Sequence, residues 1–216
     1  MDETTGRILK DFGIPPETVP PGSVRFLDYK ELKNLGKRSI DCRLWIRNLN
    51  NHEALAWSVD HEHKSCVGVV LRNLYSDSRK DHKAITPDIK PLWHNFYYVL
   101  PQVYRLGVCV LCEGPKDARV LASADIPAIA VLMAIPSHEH LRVIRRYVRI
   151  ILWVGDRDPV TDDRAEIRIN RAKRQARELE LGFFDFRIPV KDPAMLAGNE
   201  EWLGRIRDRV MELSSF

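Results

Sequence analysis

The chain has 216 residues, 44% of them hydrophobic, and a formal net charge of +4. That is enough apolar sequence for one larger domain or two small ones, and no apolar run approaches the roughly 18 residues that a membrane-spanning helix needs. The N-terminus MDETTGRILKDFG is polar and mixed in charge, unlike a signal peptide, so the expectation is a soluble, cytoplasmic chain without a membrane partner. Cys42, Cys66, Cys109 and Cys112 are embedded in apolar stretches and fit a reducing compartment better than a disulfide framework.

Residues 1–22 hold a short helical segment, Ile8 to Phe12, followed by IPPETVPPG, whose four prolines rule out a continuous helix. They read as a proline-rich arm, docked or mobile. Val24 to Leu35 reads as a strand entering a short helix capped by Asp28. Next, Ile40, Cys42, Leu44 and Ile46 alternate with Asp41, Arg43, Trp45 and Arg47, the period of a half-buried strand. The turn-like NLNNHE and the run ALAWSV complete a hairpin, and a third strand, Cys66 to Leu71, ends at Arg72, which gives an antiparallel meander. His61, His63 and Cys66 have donor types suited to a transition metal, but with only His52 nearby as a fourth, zinc is the minor reading.

In NLYSDSRKDHKAITPDIKPLWHNFYYVLP, Arg79, Lys80, Lys83 and Lys90 are interleaved with Tyr75, Trp93, Phe96, Tyr97 and Tyr98, the composition of a basic stacking surface for a single strand. Phe96 to Tyr98 read instead as core anchors under a polar loop. Then two apolar runs stop abruptly at acids. Val108 to Cys112 suits a strand buried on both faces, broken by Glu113-Gly114, with Pro115 placed to open a helix. Ile150 to Val154 is a second such strand, followed by Gly155, Asp156 and Asp158. Asp192 follows another apolar run, Phe183 to Val190. Carboxylates at the carboxyl ends of parallel strands lie where open α/β sheets put their ligands, which predicts a metal site at one edge. Cys109-x-x-Cys112 lies inside the first strand and reads as two small core residues.

Two segments crowd arginines: Arg142, Arg145, Arg146 and Arg149 in one, and Arg164, Arg168, Arg171, Lys173, Arg174 and Arg177 in the other. In the second, Ala165, Ile169, Ala172, Ala176 and Leu179 recur at helical spacing, so Arg164, Arg168 and Arg171 line the opposite face. That face is either simply solvated or a phosphate-contacting surface.

Together these residues resemble a Toprim domain, the fold shared by bacterial-type primases, type IA and type II topoisomerases and small maturation nucleases. Glu113, Gly114 and Asp117 match its first motif, Asp156-Arg157-Asp158 its Asp-x-Asp, and Lys191-Asp192-Pro193 a family-typical third. The match covers about residues 105 to 200. It departs after Asp158, where PVTDDRAE replaces a small residue and Gly, which predicts a longer loop into which Asp162 or Asp163 can intrude. The order of elements upstream is similar to the N-terminal half of the RNA polymerase domain of bacterial and phage primases; there Arg72 matches an arginine closing the third strand and Lys80 or Lys83 a loop lysine.

The resemblance implies an α/β chain with an α+β N-terminal part: an arm (1–22), a small mixed or antiparallel subdomain (23–104), and a Toprim domain with a parallel sheet flanked by helices and a C-terminal helix (105–216). It implies a primase catalytic core that makes short RNA primers on single-stranded DNA from NTPs with Mg²⁺ or Mn²⁺. Asp156 and Asp158, helped by Asp117 or Asp192, would hold metal; Glu113 would act as general base or further ligand; Lys116 would neutralise triphosphate charge; Arg72, Lys80, Lys83, Arg164, Arg168 and Arg171 would contact nucleotide or template. With no zinc ribbon and no helicase-binding domain in view, a replicative helicase or a separate zinc-binding chain becomes an expected partner, and such reduction suits a phage-like origin. A Toprim nuclease is the rival enzyme, and a non-catalytic nucleic-acid-binding scaffold the third reading.

Overall fold

The computed structural model describes residues 1–36, 54–61, 64–73, 82–85, 91–156 and 162–216. The strand expected over Ile40 to Ile46, Lys80 and Asp158 lie outside the described residues.

Among the described residues eight strands form two sheets. The first is antiparallel throughout, in the order β1 (Val24–Leu27), β2 (Ala54–His61), β3 (Lys64–Asn73), β4 (His82–Ile85). The second is parallel, in the order β6 (Ala128–Ala130), β5 (Val108–Cys112), β7 (Ile150–Trp153), β8 (Gly182–Asp185). The antiparallel subdomain and flanked parallel sheet expected from sequence are therefore present. The pairing differs in detail. Within the described residues β2 pairs with β1 and β3, and Lys83 sits on a fourth strand opposite Leu71 instead of in a loop. Alternation of two residues per side in HKAI is too short to separate a strand from a loop by period alone.

The N-terminal arm is built into the body. Helix α1 (Glu3–Asp11) buries Leu9, Ile14 and Val19 follow it into the core, and the Thr5 hydroxyl accepts the Phe26 N–H at 2.8 Å, tying the arm to β1. At Gly13, whose φ is +70°, a Cβ would come within 2.5 Å of the Ala197 Cβ, so the chain passes too close for any other residue. Asp28 caps α2 (Tyr29–Gly36) as expected: its carboxylate accepts the Glu31 N–H at 2.8 Å, and Glu31 reaches back to the Asp28 N–H at 3.2 Å, a reciprocal box.

Each face of the parallel sheet has its own core. Helix α3 (Phe96–Leu106), α5 (His138–Ile144) and α6 (Asp162–Glu178) cover the face carrying Cys109, Leu111, Ile151 and Trp153. Helix α4 (Pro115–Ser123), α7 (Glu200–Ser214) and the N-terminal arm cover Val108, Val110, Cys112 and Leu152. Leu55, Trp57 and Val70 of the antiparallel sheet join this second cluster, so the two sheets share one core. Cys109 and Cys112 are fully buried on opposite faces, as two small core residues; they cannot make a shared zinc or redox pair. The aromatic segment is a correction: Phe96 is buried, but it opens a helix, and Tyr97 and Tyr98 are exposed. Successive helical residues point about 100° apart, so three in a row cannot all anchor the core.

Candidate active site at the carboxyl end of the parallel sheet

The register of the parallel strands brings the acids together. Leu111 is level with Trp153, the Val154 N–H donates to the Leu111 carbonyl at 2.9 Å, and Glu113 and Asp156 therefore leave the sheet side by side. The Asp156 N–H donates to Glu113 Oε1 at 3.2 Å. Gly155 makes this approach possible: the Trp153 indole lies over it, and a Cβ there would meet three indole atoms at 2.5 Å.

The turn from β5 into α4 is built by Asp117. As the third residue of the helix it reaches back, and Oδ2 accepts the Gly114 N–H at 3.0 Å while Pro115 fills the first helical position, which needs no donor. Oδ1 accepts the Ala194 N–H at 3.1 Å across 77 residues. The Asp117 carboxylate thus fastens the Lys191-Asp192-Pro193 segment to the first acidic motif. Asp192 caps the short 3-10 turn Pro193–Leu196 by accepting the Met195 N–H at 3.1 Å. Sequence reading grouped Asp117 with the metal ligands; its two hydrogen bonds to backbone N–H groups are visible only in three dimensions.

Electrostatics show how tightly the acids are gathered. Burial first, and then the Asp156 charge, push Glu113 up to about 8 from an ordinary 4.5, with the positive charge of Arg168 acting in the opposite sense. Burial, Asp156 and Asp192 push Asp117 up to about 7, although the two N–H groups it accepts pull the other way. Among the described residues no group of three His, Cys, Asp or Glu is arranged to hold a metal ion. Mg²⁺ does not need one, since it is usually held by one or two carboxylates with waters and substrate phosphates completing its octahedron. Glu113 and Asp156, all-oxygen donors destabilised by each other's charge, fit such a cation, and Asp158 follows two residues later outside the described region.

The remaining expected residues fall in three places. Lys116 is half-buried with its ammonium 4.7 Å from the centre of the Phe12 ring, at the end of α1, so the arm supports the acidic motif from behind. Arg168 and Arg171 lie exposed on α6, opposite buried Ile169, Ala172 and Ala176, and Arg164 shares that helix, which Asp162 and Asp163 open. Arg72 is on β3, paired with His82, next to the Leu71 and Lys83 pair. The antiparallel sheet thus carries Arg72 and Lys83 away from the acids in sequence but within one molecule sharing a core. His61 ends β2, and Cys66 is on β3; the side chains of the His61, His63 and Cys66 group lie outside the described residues.

Sequence reasoning missed a polar junction between the sheets. Trp93 exchanges backbone hydrogen bonds with Asp60 of β2, and His94 does so with Ala130 of β6, so two residues bridge both sheets. The His94 Nδ1–H donates to the Ser58 carbonyl at 2.7 Å, and its Nε2 accepts from Arg119 Nε at 3.1 Å. Burial and the neighbouring Arg119 charge hold His94 down at about 3, so it stays neutral. Arg119 is itself buried on α4, with Tyr98 5.5 Å from its guanidinium and the Asp60 charge supporting it. The sequence signal was an arginine set between Ala118 and the apolar run Val120-Leu121-Ala122.

No family model and no curated protein matches the chain. Solved structures do. The chain is similar to the Aquifex aeolicus primase, zinc-binding and RNA polymerase domains, at a TM-score of 0.73 and 16% identity, over 96% of this chain and 56% of that one. It is similar to a DnaG primase catalytic domain bound to ssDNA (TM-score 0.69, 16% identity, 94% and 70% covered) and to the RNA polymerase domain of Mycobacterium tuberculosis primase DnaG (0.67, 18%, 94% and 74%). The chain thus has the fold of primase catalytic cores along nearly its whole length, while spanning little more than half of the Aquifex chain.

Proposed function

We propose that this protein is a primase-type nucleotidyltransferase that joins ribonucleotides into short primers on a single-stranded DNA template. The observation that carries the reading is the side-by-side exit of Glu113 and Asp156 from a parallel sheet that shares its core with an antiparallel sheet bearing Arg72 and Lys83. A nuclease needs the acids alone; a polymerase also needs a place for a triphosphate, and the second sheet supplies basic residues for it. The fold shared with primase cores, one of them described as bound to ssDNA, supports the same choice.

In this reading Asp156 and Asp158, with Asp192 or Glu113 as a further ligand, would hold Mg²⁺ or Mn²⁺. Such a cation supplies charge neutralisation for the incoming phosphates and lowers the pKa of the attacking 3′-hydroxyl. The chain's own residues do the rest. The Asp156 N–H fixes one oxygen of Glu113, which leaves the other to take the hydroxyl proton. Asp117 keeps the Asp192 segment against the motif by its bond to Ala194. Lys116, held over Phe12, places a positive charge at the start of α4, whose N-terminus itself favours anions. Arg72, Lys80 and Lys83 bind the nucleotide, and Arg164, Arg168 and Arg171 the template backbone. Recognition of the start site and coupling to a helicase fall to a zinc-binding segment or chain and to a replicative partner.

The test is to neutralise Arg72, Lys80 and Lys83 together. Charge-assisted contacts to a triphosphate are worth about 1.5–3 kcal/mol each, so nucleotide affinity should fall well over a hundredfold, with Mn²⁺ binding at the acids retained. If NTP binding is unchanged in this variant, the nucleotide site is elsewhere and the reading fails.

A further inference from the structure

The arginines at residues 142 to 149 are not used by the site above, and they sit at the other end of the molecule. Helix α5 descends from the carboxyl end of the parallel sheet and delivers the chain to β7, so these arginines lie around the amino ends of the strands. Two observations fix this. The Arg149 N–H donates to the Gly107 carbonyl just before β5, and the Arg149 carbonyl accepts the Gly182 N–H at the start of β8, both at 2.9 Å. Arg145 meets Glu180, two residues before β8, at 3.4 Å. In LRVIRRYVR every large apolar residue except half-buried Tyr147 is buried, and Arg142, Arg145, Arg146 and Arg149 are all exposed.

Helix α6 joins the two ends. Arg168, near its start, acts on Glu113; Arg171, Arg174 and Arg177 follow exposed along the helix; and Glu180, just beyond its end, holds Arg145. At 1.5 Å per residue, α6 rises about 14 Å from Arg168 to Arg177. Acids on this path are Asp162 and Asp163 at the start of α6, Glu166, which pairs with Arg187 at 3.8 Å, and Glu178 and Glu180 at the far end; from Arg168 to Arg177 every charged residue is basic.

From this we infer that α6 and the segment 142–149 form one arginine track, which carries the backbone of a single nucleic-acid strand from the acidic site to the amino end of the parallel sheet. The inference rests on the nucleic-acid reading above and adds a path and a footprint to it. A run of guanidinium groups at helical intervals suits a partner with charges repeated at a fixed spacing, and a strand already held at Arg168 enters the track without a separate docking event. At the 3.4 Å per nucleotide of a stacked strand, about 14 Å accommodates about four further nucleotides.

The test is equilibrium binding of oligothymidylates of about 6 and about 20 nucleotides, without NTP or metal, as a function of salt. The wild-type protein should bind the longer strand much more tightly than the shorter one. In R142Q/R145Q/R146Q, which leaves Arg149 in place against Gly107, the longer strand should lose about tenfold or more in affinity and about two units of salt slope, at about 0.7 per lost contact, and the length advantage should shrink. R168Q/R171Q should weaken both lengths. If the wild-type protein binds neither strand, the nucleic-acid reading itself falls, and the track with it. If it binds both but the triple variant keeps the full length advantage, or if the triple variant changes only the binding of a polyglutamate peptide, the track is overturned and the active-site reading stands.

Discussion

Asp117 and Asp156 carry the same side chain in one acidic cluster and do different work. Asp117 accepts two backbone N–H groups, from Gly114 and Ala194, and is buried; Asp156 is exposed at the mouth of the site. Asp117→Asn replaces one acceptor oxygen by a donor facing an N–H, which should cost about 1–3 kcal/mol of stability in urea denaturation. Asp156→Asn removes a charge that repels Glu113 and should leave stability equal or higher while abolishing metal-dependent activity. Equal urea midpoints for both variants would contradict the division. The raised values of Glu113 and Asp117 also set a pH dependence. At these two acids the folded state binds protons more tightly than the unfolded chain, so without metal their contribution to stability is greatest at or below about pH 4 and is lost as pH rises through about 7 to 8. Glu113→Gln, which resembles the protonated acid, should match the wild-type Tm near pH 4 and exceed it near pH 8, and Mg²⁺ should raise the wild-type Tm most at the high end. A Tm difference constant over that range would contradict the buried, mutually repelling acids.

At the scale of elements, the strand-acid-helix units were legible because each signal is local. Five apolar residues stop at Glu113-Gly114, Pro115 sits where a helix can accept it, and Asp117 stands three residues after Gly114. Likewise Asp28 announced α2 as its cap. What stayed hidden depends on residues distant in sequence. The tie from Asp117 to Ala194 spans 77 residues, and the junction of Ser58, His94 and Arg119 joins three elements, none of which shows a periodic break. The fourth strand was read as a loop because its lysine and histidine mask a short alternation. Arg119 is the element-scale test. Removing it strands the His94 Nε2 and takes away a charge that supports Asp60 at the seam between the sheets. Arg119→Ala should destabilise by about 3–5 kcal/mol, whereas Arg119→Met, which keeps much of the volume, should cost less. Hydrogen exchange in β2 and β6 should accelerate together in the Ala variant; acceleration in only one sheet would show that the junction does not couple them.

At the scale of the molecule, the antiparallel sheet, the docked N-terminal arm and the parallel sheet form one body around a common core, with α1 reaching the acidic motif through Phe12 and Lys116. The acids alone were readable as a Toprim pattern and fit synthesis or hydrolysis equally. The second sheet, sharing its core with the first, is what weighs toward synthesis. Among the described residues no helix is long and apolar enough to cross a membrane. The most direct measurement is a single reaction containing the protein, single-stranded DNA, labelled NTPs and Mg²⁺ or Mn²⁺, resolved by length so that synthesis and degradation are scored together. The account predicts short labelled RNA products that need both template and cation and vanish in Asp156→Asn, with the DNA left intact. Shortened DNA with no labelled product would contradict it and make the acids those of a nuclease.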